Sequence, residues 1–90
     1  MASAVAPRFY LGVCDLLLGR VENAISELQR ADSAGPTVYQ EQARFFLAKA
    51  MLARRDIDGA SRILQSIIPM AGDRQEEARR LLDQLAGPSR

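Results

Sequence analysis

The side chains able to do chemistry in this chain are few, and their spacing limits what they can do. There is no histidine, so the usual proton acceptor near neutral pH is missing. One cysteine, Cys14, with no histidine beside it leaves no zinc-binding set, and neither a phosphate-cradling glycine loop nor a nucleophile elbow occurs. Glu76-Glu77 and Asp56/Asp58 are the close carboxylate neighbours. Each falls where a helix is expected to begin, and acidic groups there complement the positive end of the helix dipole. They read as helix-start residues rather than as an acid–base pair. Arg54-Arg55 reads as a solvated helix end and Arg79-Arg80 as partners of Glu76 and Glu77 at helical spacing. Cys14, among apolar neighbours, reads as a small core residue. Asp15 stands in an apolar stretch and faces either a partner or solvent. Recognition rather than catalysis is the chemistry on offer, and no cofactor or metal is expected.

Composition narrows the class of partner. Twelve Lys plus Arg against eleven Asp plus Glu give a formal net charge of +1, and the charges are interspersed. No basic block exists that would track a phosphate backbone, so nucleic acid is not the expected partner. Hydrophobic residues make up 48% and charged residues 26%, the balance of a soluble globular domain rather than a disordered chain. No apolar run approaches the roughly 18 residues of a membrane span, so direct membrane insertion is not expected. Met1 to Pro7 lacks the basic and apolar regions of a signal peptide. With a single cysteine and hence no internal disulfide, these features point to the cytoplasm. Of the basic residues only Lys49 is lysine, a skew of GC-rich genomes that hints at a bacterial source.

The elements that must position these residues follow from an internal repeat. Arg8 to Ala31 returns as Arg44 to Ile67, an offset of 36 residues with seven identical pairs, among them Arg8/Arg44, Phe9/Phe45, Leu11/Leu47 and Leu28/Leu64. A repeated pair of helices is the simplest reading. The first helix begins near Ala6, with Pro7 in its first turn. Its apolar positions wrap most of the cylinder, so it is expected to be sandwiched, and Gly19 ends it in the left-handed conformation. Val21, Ala24, Ile25, Leu28 and Ala31 make an amphipathic second helix that the short connection turns antiparallel to the first. Thr37 with Gln40 reads as a capping box for a third helix ending at about Arg54 or Arg55, and Asp56 as the cap of a fourth that Pro69 closes. Asp73 with Glu76 caps a fifth, in which Glu77-Ala78-Arg79 echoes Gln42-Ala43-Arg44. The expected layout is a disordered or cloning-derived start (1–5), one domain (6–86) and a short tail (87–90). The domain divides into repeat one (6–36), repeat two (37–72) and a capping helix (73–86).

Leu11-Gly12, Gly19, Ala24, Leu28, Ala31 and Pro36 stand at the spacing of the tetratricopeptide repeat family, which the chain resembles from Arg8 to Leu85. The second copy, Leu47-Ala48, Arg55-Asp56, Ala60, Leu64 and Ile67, matches more loosely. The usual tryptophan is Arg8 or Arg44, the usual tyrosine is Asp15 or Met51, and the period is 36 rather than about 34 residues. The resemblance implies an all-α, right-handed stack of antiparallel helix pairs, here five helices. It also implies a non-catalytic module that binds a peptide or partner-protein segment in a concave, largely apolar groove. Some similar bacterial regulatory proteins carry such repeats as a tail behind another domain. The alternative is self-association into a homo-oligomer, because two and a half repeats leave end surfaces open.

In this family the first helices of successive pairs line the groove. The resemblance therefore assigns Phe9, Tyr10, Val13, Phe45, Phe46 and Lys49 to its border, with Arg80 and Gln84 at the far end. Such a groove has an apolar floor and a cationic side, suited to an amphipathic helix or an extended peptide with an acidic residue. The Lys and Asn set with which some members clamp a C-terminal carboxylate is missing, since Phe9, Val13 and Leu81 occupy those sites. Chaperone-tail recognition is not implied.

Overall fold

The computed structural model describes residues 5–87. Five helices follow one another: α1 (Val5–Leu17), α2 (Val21–Ser33), α3 (Gln40–Ala53), α4 (Ile57–Ile67) and α5 (Gln75–Ala86), with a short 3-10 turn, Ile68–Met70, between the last two. Val5, expected in the N-terminal tail, is already helical. The rest of that tail (1–4) and residues 88–90 of the C-terminal tail lie outside the described residues. Each helix packs on the next, α1 on α2, α2 on α3, α3 on α4 and α4 on α5. Among the described residues there is no strand, and no helix is long and apolar enough to cross a membrane.

Two residues 36 positions apart form the helix hairpins. Gly19 has φ +80° and Arg55 φ +66°. In the first hairpin the Gly19 N–H donates to the Leu16 carbonyl (3.1 Å) and the Arg20 N–H to Asp15 (2.7 Å); in the second, Arg55 donates to Leu52 (2.9 Å) and Asp56 to Met51 (2.8 Å). This crossed pair of bonds satisfies the last carbonyls of each helix and requires the left-handed conformation. Arg55 pays a Cβ penalty there that Gly19 does not. Arg55→Gly should therefore stabilise the domain by about 0.5–1 kcal/mol, a rise in melting temperature of several degrees. Thermal unfolding by circular dichroism measures it; an unchanged or lower midpoint contradicts the reading.

The helix starts are held differently from expectation. Asp56 does cap α4, its Oδ1 accepting the Gly59 N–H at 2.9 Å. The Thr37 hydroxyl accepts the Tyr39 N–H at 3.1 Å, but Gln40 does not close a capping box. Its Nε2 instead donates to the Asp32 carboxylate (3.2 Å), which also receives Arg44 Nε (2.9 Å). At α5 the Asp73 side chain makes no cap. The carboxylate of Glu41, on α3, accepts the Asp73 and Arg74 N–H groups at 3.1 and 2.9 Å. A side chain two helices away thus does the work expected of the local residues, and ties α5 to α3.

Large fully buried side chains, Leu28, Phe45, Leu47, Leu64 and Ile67, fill the seams between helices, and Ala24, Ala31, Ala43, Ala48, Ala50 and Ala60 let the backbones approach. Gly12 does the same on α1. A Cβ built there would lie 2.6 Å from Leu28 Cγ.

The expected sandwich around the first helix is only half present. α1 buries Val5, Phe9, Gly12 and Asp15, and its other side is open because no helix of the described chain precedes it. Cys14 falls on that open side and is exposed, not in the core. Asp15 turns the opposite way and is buried, with the largely exposed Arg20 guanidinium 3.8 Å from its Oδ1. Its place is that of Met51 in the next repeat.

Candidate functional site

A row of aromatic rings crosses from α1 to α3. The Phe9 ring lies 6.0 Å from Phe46 and 5.5 Å from Tyr39, and Phe46 lies 5.8 Å from Phe45. Phe9 and Phe45 are buried, so these two rings chiefly pack the stack. Phe46 and Val13 are half-buried against the core. Tyr10 is exposed, its ring 5.1 Å from Phe9 and 6.1 Å from Tyr39.

Beyond Phe45 the row ends in a cavity of about 180 Å³ between α3 and α5, lined by Phe45, Lys49, Glu77, Arg80, Leu81 and Gln84. Four residues named from the sequence, Phe45, Lys49, Arg80 and Gln84, meet here. Phe9, Tyr10, Val13 and Phe46 do not line it; they lie on the α1 side of Phe45.

Position along the helices explains the meeting. Phe45 and Lys49 are four residues apart on α3, and Arg80, Leu81 and Gln84 recur at three and four residues on α5, so each set shares a helix face. Packing of α5 beside α4, with Glu41 capping its start, brings the two faces together.

The charges at this cavity are unevenly satisfied. The Lys49 ammonium sits 5.1 Å from the centre of the Phe45 ring, an attraction through the negative ring face. Among the described residues neither Lys49 nor Arg80 has a carboxylate within ion-pair distance. The one acid in the lining, Glu77, is taken: Arg74 Nη1 donates to its Oε1 at 2.6 Å. The expected pairing of Arg79 and Arg80 with Glu76 and Glu77 is therefore replaced by Arg74–Glu77. Arg54, expected at a solvated end, is held by Glu22 (3.0 Å) and Asp56 (3.5 Å) and pins the end of α3 to the start of α2.

Arg74 is the residue that reading the sequence missed. Its guanidinium lies 4.5 Å from the Phe45 ring centre and 5.5 Å from that of Phe46, while its Nε donates to Gln42 Oε1 at 2.7 Å. It fixes the aromatic floor and occupies the neighbouring acid in one move. No local spacing marks it, because its partners are on another helix.

The antiparallel pairs, small residues at the crossings and repeated left-handed hairpin turns describe a helical repeat, and the chain matches the family model described as tetratricopeptide repeat over residues 15–85. The chain belongs to the tetratricopeptide repeat family. Its two left-handed hairpin turns recur 36 positions apart, a longer period than the family's usual one. Searches of curated proteins and of solved structures found no match. Membership makes this a module of the kind that serves protein–protein interaction.

Proposed function

We propose that the domain is a non-catalytic binding module, and that its α3–α5 cavity receives a peptide or partner-protein segment carrying an apolar side chain next to an acidic one. Phe45 and Leu81 offer the apolar floor, Lys49 and Arg80 two cations, and Gln84 a donor and an acceptor at the rim. The observation that carries the reading is the charge inventory: two cations border an apolar hollow whose only acid already pairs with Arg74. A carboxylate arriving with an apolar neighbour would meet both needs, whereas a basic segment would be repelled.

Selection from a random peptide library displayed on phage, run on the native chain and on the double variant Lys49→Glu/Arg80→Glu, tests this. The native chain should enrich sequences with Asp or Glu beside Leu, Phe or Met. Both substituted side chains are exposed, so the variant should fold normally, yet bind those peptides roughly tenfold more weakly and enrich basic ones. Identical enrichment from both proteins would show that the cavity does not read charge and would overturn the proposal.

A further inference from the structure

Arg74 is held almost entirely by α3. Its guanidinium lies 4.5 Å from the Phe45 ring centre and 5.5 Å from that of Phe46, and its Nε donates to Gln42 Oε1 at 2.7 Å. Its backbone is tied to the same helix, the Arg74 N–H donating to Glu41 Oε2 at 2.9 Å. The remaining partner, Glu77, belongs to α5 and accepts from Nη1 at 2.6 Å. Of that pair the Arg74 side chain is 25% exposed and the Glu77 side chain 44%. The cation is therefore the fixed member, and the acid is the one free to move.

Released from Arg74, Glu77 has other cations to turn to. It lines the α3–α5 cavity together with Lys49 and Arg80. Arg80 is three residues further along α5, a spacing at which helix side chains meet. Neither cation has a carboxylate within ion-pair distance among the described residues. Glu76, four residues before Arg80, is exposed and takes no part in the lining. Glu77 is thus the cavity's built-in competitor for a carboxylate arriving from outside. Being part of the same helix, it would compete at a high effective concentration.

We infer, resting on the reading of this cavity as a site for an acidic and apolar segment, that Arg74 is its positioning residue: by holding Glu77 aside it keeps Lys49 and Arg80 available to the partner. Arg74 acts through Glu77 and not on the ligand. Without it Glu77 swings to Arg80, occupies that cation and repels the incoming carboxylate, two effects of the same sign. The acid in the lining is harmless to binding only while Arg74 engages it.

The test is a cycle of four chains: native, Arg74→Gln, Glu77→Gln and the double variant. Affinity is measured by calorimetry for one peptide with adjacent acidic and apolar residues, selected from the displayed library on the native chain. Arg74→Gln should bind it about fivefold more weakly, the upper range for one exposed ion pair. Glu77→Gln alone should change the affinity by no more than about twofold, yet in the Arg74→Gln chain it should restore the native value to within about twofold. If Arg74 merely braces the aromatic floor, the loss stays unrepaired in the double variant. If only net charge matters, Glu77→Gln raises affinity by the same factor in both backgrounds. Either result, or full affinity in Arg74→Gln, overturns the inference, while weakened binding by Lys49→Glu/Arg80→Glu still upholds the cavity reading. A native chain that selects no acidic peptide, or binding indifferent to that charge reversal, removes both.

A second variant leaves Arg74 and its contacts in place, so that a fold damaged by Arg74→Gln does not decide the matter. Gln84→Glu puts a carboxylate that no arginine holds at an exposed position in the same lining. It should weaken the peptide by roughly the same factor with the helical spectrum unchanged. Undiminished affinity in that chain also overturns the inference.

Discussion

Phe45→Glu should unfold the domain. Phe45 is among the largest fully buried side chains, 2% exposed, with Phe46 on one side and the Arg74 guanidinium 4.5 Å from its ring centre. Losing the ring costs about 3–5 kcal/mol in transfer and cavity terms. Glutamate adds a carboxylate in the same space, and burying a charge costs several kcal/mol more unless it is paired. Arg74 offers a partial partner, but its hydrogen bonds to Gln42 and Glu77 would have to be given up. A domain of this size is stable by roughly 5–15 kcal/mol. The far-ultraviolet helical signal at 25 °C should therefore be largely lost. Full retention of helicity with loss of peptide binding alone would mean that Phe45 is a surface contact and not part of the core.

Gly12→Val should cost about 2–3 kcal/mol by overpacking, although valine is the better helix former. The reason is Leu28: a Cβ at Gly12 lies 2.6 Å from its Cγ and 2.8 Å from its Cδ2, and Leu28 is itself fully buried. Leu28→Ala alone should cost about 2–5 kcal/mol by leaving a cavity. Combined, the two changes should cost less than their sum by about 1 kcal/mol or more, since the valine methyls occupy space the leucine vacates. Chemical denaturation of the four proteins measures the coupling. Strict additivity would contradict the close α1–α2 crossing on which the first repeat is built.

What was legible in the sequence was local. Helix positions, the left-handed Gly19 turn and the Asp56 cap depend on residues within a few positions of one another, so apolar spacing and cap chemistry find them. The offset of 36 also predicted that Arg55 would stand where Gly19 does. Contacts between repeats were not legible. Glu41 capping α5, Gln40 and Arg44 converging on Asp32, and Arg74 on Phe45 join residues 8 to 33 positions apart, and no periodicity encodes which neighbour arrives. Asp15 and Cys14 were assigned the wrong sides of α1 for a related reason. Residue type favours a buried cysteine and an exposed aspartate, but the helix's rotation against α2 places Asp15 inside and Cys14 outside. At the candidate site, Lys49 and Arg80 were found from the family pattern, whereas the engagement of Glu77 that leaves them without an acidic partner required the structure.

The central claim is that the α3–α5 cavity is where a partner's acidic and apolar side chains are read. Its most direct measurement is a ¹H–¹⁵N map of the native chain with a library-selected peptide containing adjacent acidic and apolar residues. The predicted result is saturable shifts centred on Lys49, Glu77, Arg80, Leu81 and Gln84, abolished by Lys49→Glu/Arg80→Glu with the helical spectrum intact. Shifts centred on α1 or α2 instead, or undiminished by the charge reversal, would contradict it.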